Sequence, residues 1–85
     1  MRRQILLQKL ARGAFQNVAF ADAVSLVESF GFSLARISGS HHVFVHPKIP
    51  EVVNLQEVSG EAKPYQLRQV LKLIERYNLK SEDKS

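Results

Sequence analysis

Apolar residues recur at helical spacing in three segments of the chain, at residues 3–12, 21–30 and 64–78. Gly13 and Gly31 directly follow the first two segments, and glycine is a common helix stop. We therefore predict three helices, of which the last has the clearest periodicity. The apolar stripes are Ile5, Leu6 and Leu10 in the first helix, Val24, Val27 and Phe30 in the second, and Leu67, Val70, Leu71 and Ile74 in the third.

The chain between the second and third helices contains short apolar runs that predict strands at about 32–38, 41–46 and 52–56. Gly39-Ser40 and the stretch 47–50 supply the turns. Short sequential strands favour an antiparallel meander. The order α-α-β-β-β-α predicts an α+β fold, with the helices on one face of a three-stranded antiparallel sheet and the other face uncovered. The remaining segments are a connector at 14–20, a polar loop at 59–63 and a polar tail at 80–85.

The length of 85 residues predicts one domain, residues 1–85, because a second core would need a longer chain. The absence of cysteine excludes disulfides, thiolate nucleophiles and cysteine-rich zinc sites. No apolar run approaches the roughly 18 residues of a membrane span, and no signal-peptide core follows the N-terminal arginines. We therefore expect a cytoplasmic protein.

Positive charge is concentrated near the two ends of the chain, whose formal net charge is +4, while the middle is mildly acidic. Such basic regions are candidate phosphate-binding surfaces, although lysine and arginine on a helix often form only a solvated face. The basic residues near the start are Arg2, Arg3, Lys9 and Arg12, and those in and before the last helix are Lys63, Arg68, Lys72 and Arg76.

The second predicted strand carries all three histidines, and successive strand residues point to opposite faces. Its two valines are expected to face the helices, so the alternate residues are expected on the open face. We therefore place His41, Val43 and Val45 toward the core, and His42, Phe44 and His46 on the open face.

The histidines do not predict a metal site. Residues four apart on a strand are separated by roughly 13 Å, whereas zinc ligands converge at about 2.0 to 2.1 Å from one ion. His42 and His46 therefore cannot share a metal without a sharp bend, and His41 points away from both. We expect no metal and no cofactor.

Metal-free RNA cleavage fits the three histidines better than metal binding does. Attack of a 2′-OH on the adjacent phosphorus needs proton-transfer groups, and histidine suits them because its pKa lies near the working pH. His42 is the candidate, and the backbone N–H groups of Gly39 and Ser40 can hold a phosphate oxygen. Phe44 is a candidate for base stacking or for contact with a covering partner. The alternative for His42 is a surface histidine beside a turn.

Two motifs stand out in the second half of the chain. The first is Gly31-Phe32, Arg36, Gly39-Ser40-His41-His42-Val43-Phe44 and His46-Pro47, and the second is Lys63-Pro64-Tyr65-Gln66-Leu67-Arg68-Gln69-Val70. Together they resemble the HicA toxins of toxin-antitoxin pairs, over about residues 20–79. Their joint spacing makes the resemblance more specific than Gly-Ser-His-His alone.

The resemblance implies the fold of a double-stranded-RNA-binding domain and an endoribonuclease that cleaves mRNA and arrests translation without a metal or cofactor. It implies that the second histidine of the motif, His42, is catalytic. It also implies a HicB-type antitoxin as the inhibiting partner. Phosphate and RNA contacts are expected from the turn and from the last helix, at Gly39, Ser40, Lys63, Arg68, Lys72 and Arg76.

The chain departs from the family pattern in two places. Many members carry another histidine after the third strand, where this chain has Asn54-Leu55-Gln56-Glu57. The second proton-transfer group is therefore unassigned, with His46 as the candidate. The helix at 3–12 is extra to the shortest members. Two rival hypotheses remain open: an RNA-binding module of the same fold that does not cleave, and a subunit that acts only by protein contact.

Overall fold

The computed structural model describes residues 3–81. The three predicted helices and three predicted strands are present, and the third strand extends beyond its predicted span at both ends. The predicted tail falls largely on residues 82–85, which lie outside the described part of the chain. The elements are α1 (Arg3–Ala11), α2 (Phe20–Ser29), β1 (Ser33–Ser38), β2 (His41–His46), β3 (Ile49–Val58), β4 (Glu61–Ala62) and α3 (Pro64–Arg76).

The sheet has four antiparallel strands in the order β1-β2-β3-β4, so the expectation of three strands is wrong by one. The extra strand lies in the segment predicted as a polar loop. Ser59 and Gly60 both adopt positive φ, at 52° and 80°, and this tight turn sends the chain back along the end of β3. A two-residue strand has no detectable sequence periodicity, which is why the pattern misses it.

Helices α2 and α3 pack on one face of the sheet, and α1 packs against both helices. The other face of the sheet is uncovered, as predicted. Every stripe residue of α3 is buried or half-buried, and α1 contributes Leu6 and Leu10, at 0% and 1% exposure. The arrangement is α+β and is consistent with a double-stranded-RNA-binding-domain fold. No helix within residues 3–81 is long and apolar enough to cross a membrane.

The face assignment of β2 is wrong. Phe44 is 1% exposed and lies opposite Val53 in the core, whereas Val45 is 38% exposed on the uncovered face. Apolar residues would reach the core with either face of β2 turned inward, because one face carries two valines and the other carries Phe44. Burying the larger aromatic side chain removes more apolar area from water than burying a valine, so the phase with Phe44 inward is the favoured one.

A short backbone ladder fixes where α2 and α3 begin. The N–H of Ala62 donates to the carbonyl of Val18, and the N–H of Phe20 donates to the carbonyl of Gly60, both at 2.9 Å. Pro64 then occupies the first turn of α3, where its missing N–H is not required. Both helices therefore begin at the end of the sheet that also carries the β1–β2 turn.

Candidate functional site

The β1–β2 turn consists of Gly39 and Ser40, and both residues are exposed. Gly39 has a φ of 60°, a conformation that suits a two-residue hairpin with glycine first. The carbonyl of Ser40 accepts a hydrogen bond from the N–H of Glu57 at 3.2 Å. The turn is thus held against β3 at one side and is open to solvent at the other.

His42 lies on the helix-facing side of β2, so its expected position on the open face is wrong. Its ring meets the ring of Phe20, at the start of α2, edge-on with 4.8 Å between centroids. Its Nδ1 lies 3.3 Å from the carbonyl oxygen of Ser40. The side chain is only half-buried, because it stands at the edge of the helix layer. His42 therefore keeps access to solvent.

His41 is the histidine that the structure places on the uncovered face beside the turn. It lies opposite Ser38 on β1 and Gln56 on β3, and its side chain is half-buried. Its Nδ1 is 3.2 Å from Oδ1 of Asn54. An acceptor at Nδ1 fixes the proton of the neutral ring there and leaves the Nε2 lone pair available to accept a proton.

His41 and His42 cannot both serve one phosphate, because consecutive strand residues project to opposite faces of the sheet. Each ring has Nδ1 beside an oxygen acceptor, so each is held in an orientation that suits a general base. They differ in surroundings: His41 stands on an uncovered surface, while one edge of His42 lies against an aromatic ring.

His46 does not fit its expected role in proton transfer. Its Nε2 lies 3.0 Å from the carbonyl oxygen of Phe30, and its Nδ1 accepts from the N–H of Lys48 at 3.1 Å. The ring also packs edge-on against Phe32, with 5.0 Å between centroids. Both nitrogens are committed to backbone groups, so this histidine fixes a neutral tautomer and joins the end of α2 to the β2–β3 turn.

Phe44 also does not fit its expected role. At 1% exposure it cannot stack a base or meet an antitoxin without unfolding of the core. The apolar side chains that the uncovered face does present on β2 and β3 include Val45 and Val52, at 38% and 57% exposure.

The basic residues of the last helix do not form one surface around the histidines. Lys63 caps the start of α3, at the turn end, with Nζ 5.9 Å from the centroid of the Tyr65 ring. Arg68 lies over the Phe15 ring at 5.1 Å. Lys72 and Arg76 lie farther along, beside Glu51 of β3. Glu51 is four residues from the strand position opposite His42, or roughly 13 Å away.

Glu51 is the centre of a hydrogen-bonded cluster at that far end. The Tyr77 hydroxyl donates to its carboxylate, with oxygen distances of 2.6 and 2.7 Å, and Arg76 Nη1 lies 3.6 Å from Oε2. The Tyr77 hydrogen bond lowers the pKa of Glu51 from its ordinary value, helped by the Arg76 charge. The same hydrogen bond raises the pKa of Tyr77, because ionisation of the phenol would leave two negative charges together.

Two residues of the uncovered face were not predicted as site residues. Asn54 orients His41, and its position becomes visible only once the register of β2 against β3 is known. Arg36 lies opposite Val43 on the same face, diagonal to His41. Such diagonal neighbours are about 7–8 Å apart, within reach of an arginine side chain.

Within residues 3–81, no group of three His, Cys, Asp or Glu side chains could hold a metal ion.

Comparison with known proteins identifies a family. The model of the family described as HicA toxin of bacterial toxin-antitoxin matches residues 20–75, about two thirds of the chain. A search of curated proteins finds no match, and a search of solved structures finds none.

Proposed function

Because the chain belongs to the HicA toxin family and is the toxin of a toxin-antitoxin system, we propose that it is an endoribonuclease. It cleaves mRNA without a metal or cofactor and thereby arrests translation, and a HicB-type antitoxin inhibits it in the cytoplasm. The proposal is supported by the family match and by the residues around the β1–β2 turn, which suit phosphodiester cleavage.

The reaction is attack of a ribose 2′-OH on its own 3′-phosphorus. A histidine Nε2 takes the hydroxyl proton, the new O–P bond forms, and the bond to the 5′-oxygen breaks. The products are a 2′,3′-cyclic phosphate and a 5′-OH, whose oxygen takes up a proton from water as it leaves. The backbone N–H groups of Gly39 and Ser40 are suited to the phosphate oxygens because the turn is exposed and lacks bulk.

His41 is the general base that the geometry supports best. The sequence analysis predicts a catalytic histidine on the open face of the sheet, beside the turn. Because the two faces of β2 are the reverse of those predicted, the histidine in that position is His41. Its position on the uncovered face beside the turn, with Nδ1 held by Asn54, is the observation that carries the assignment. Arg36, on the same face, supplies a cation for the phosphate. His42 is the competing residue, which the family resemblance implies.

Lys63 is proposed as the RNA-backbone contact of α3, because it stands at the same end of the molecule as the turn. Arg68, Lys72 and Arg76 extend this surface only if the RNA runs along the helix away from the histidines. The four cations are spread along the length of α3, from Lys63 directly before its first residue to Arg76 at its last.

The test is cleavage of a defined mRNA by the purified protein in the presence of a metal chelator, with analysis of the product ends. We expect cyclic-phosphate and 5′-OH ends. His41→Ala is expected to lower the rate by about 10²–10⁴-fold, the usual contribution of a general base. His42→Ala, the matched control one residue away, is expected to stay within about tenfold of the parent rate.

The opposite pattern, with cleavage lost in His42→Ala and kept in His41→Ala, assigns the reaction to His42. Thermal unfolding of both variants separates lost chemistry from lost fold. Salt-dependent RNA binding by the parent protein without any cleavage would replace the enzyme by a non-catalytic RNA-binding module.

A further inference from the structure

The outer edge of β3 is unpaired along most of its length. Within residues 3–81, the strand on that side is β4, and it pairs only with Glu57 and Val58. The earlier residues of β3 pair with β2 on the inner side alone, except residues 50–52, where the register between the two strands shifts. Such an edge offers backbone N–H and C=O groups to another strand.

The hydrogen bonds at the end of β3 show which backbone groups point outward. The N–H of Glu57 donates inward to Ser40 on the β1–β2 turn, whereas the N–H of Gln56 donates outward to Oε1 of Gln66 on α3 at 2.6 Å. Because strand residues alternate between their two neighbours, the backbone of Asn54 also points outward. Val52 lies two residues earlier, in the part of β3 where the register with β2 shifts.

A groove of about 280 Å³ runs between this edge and the last helix. Val52 is 57% exposed there, so the groove has apolar surface as well as hydrogen-bonding backbone. Its lining residues are Glu51 and Val52 from β3 and Gln69, Lys72, Leu73 and Arg76 from α3.

The described lining is positively charged, with Lys72 and Arg76 against the single carboxylate of Glu51. That carboxylate is engaged by the Tyr77 hydroxyl and by Arg76. The Arg76 side chain is nevertheless 71% exposed, and Lys72 is exposed. The groove therefore complements a ligand that combines negative charge, apolar side chains and an extended backbone.

We propose that this groove binds an extended acidic segment of the antitoxin, which adds as a strand to the outer edge of β3. Its backbone pairs with Asn54 and Val52, its carboxylates meet Lys72 and Arg76, and its apolar side chains cover Val52. A polypeptide fits better than RNA, because RNA has no backbone that can pair with an open strand edge. The added strand lies beside Asn54, whose side chain holds His41. The inference rests on the antitoxin that the family implies and not on the cleavage chemistry.

The probe is a seven-residue synthetic peptide that alternates glutamate and valine, with a lysine–valine peptide of the same length as the control. It is titrated into the full ¹⁵N-labelled chain. We expect saturable shifts of the β3 and α3 amides and slower hydrogen exchange at Asn54 and Val52 with the acidic peptide only. Lys72→Glu/Arg76→Glu is expected to weaken binding by about tenfold or more. Arg12→Glu/Lys48→Glu, with the same change in charge at exposed residues outside the groove lining, is expected to have little effect.

Absence of saturable shifts at millimolar peptide would overturn the proposal, as would binding that leaves the Asn54 and Val52 amides unprotected. Displacement of the peptide by single-stranded RNA that protects the same groove residues would assign the groove to RNA instead. Peptide binding is expected to be unchanged in His42→Ala, so failure of the cleavage proposal does not affect this test.

Discussion

Two histidines of β2 lie at the turn end of the strand and the third lies at its far end, and the two ends differ in how the ring nitrogens are hydrogen-bonded. At the turn end, His41 and His42 are half-buried, with no hydrogen bond at Nε2 among the described contacts. At the other end, His46 gives both ring nitrogens to backbone groups and packs on Phe32. The residue type alone therefore does not indicate whether a histidine can transfer a proton. That depends on whether one of its ring nitrogens is free of hydrogen bonds to the protein.

The same contrast extends to the elements around each end. The turn end consists of an exposed hairpin and the starts of two helices. The far end is tied together by His46 and by the hydrogen bonds between Tyr77 and Glu51. Substitutions at the two ends should accordingly change different measurements.

The largest effect on folding is expected from Phe44→Ala, midway between the two ends. Removing a ring that is 1% exposed leaves a cavity, and such changes cost about 3–5 kcal/mol. Denaturant unfolding measures the loss. Phe44→Leu, which keeps most of the volume, is the control and should retain cleavage. If Phe44→Ala kept full stability and lost only RNA binding, the inward assignment of this strand face would be wrong.

A smaller loss is expected from His46→Ala. The carbonyl of Phe30 and the N–H of Lys48 would lose their partner, at a cost of about 1–3 kcal/mol. His41→Ala, on the exposed end of the same strand, should change the free energy of unfolding by less than about 1 kcal/mol. Equal destabilisation by the two variants would remove the contrast between the ends.

The smallest effect is expected from Tyr77→Phe, and it depends on pH. The folded-state pKa of Glu51 lies below its ordinary value of 4.5, so the hydrogen bond stabilises the fold above that pH. The contribution is lost as pH falls through the folded pKa. It is lost again at alkaline pH, above the ordinary tyrosine pKa of 10.0, as Tyr77 ionises. Melting temperatures of parent and variant should therefore differ near neutral pH and converge in acid, and a constant difference would contradict this account.

The helices and the order of the strands follow from the sequence because their signals are local. The stripe of Leu67, Val70 and Ile74 predicts the buried face of α3, and all three side chains are buried. Gly39-Ser40 likewise marks the first hairpin. These features depend on spacing within one element, which a single sequence displays directly.

The site is harder to predict because it depends on pairings between elements. Either face of β2 carries apolar side chains, so the choice between Phe44 and the valines rests on the core that surrounds the strand. The contact of Asn54 with His41 depends on the β2–β3 register, and the confinement of His46 depends on the end of α2. The sequence therefore indicates the segment that carries the candidate histidines, while the structure distinguishes the three of them by their surroundings.

The two hydrogen bonds that join residues 18–20 to residues 60–62 bring together segments some forty positions apart in the chain. They hold the chain in place directly before each of the two helices that cover the sheet. An added residue on either side of these two hydrogen bonds would rotate a whole helix relative to the sheet. We therefore expect variation in chain length to be rejected there.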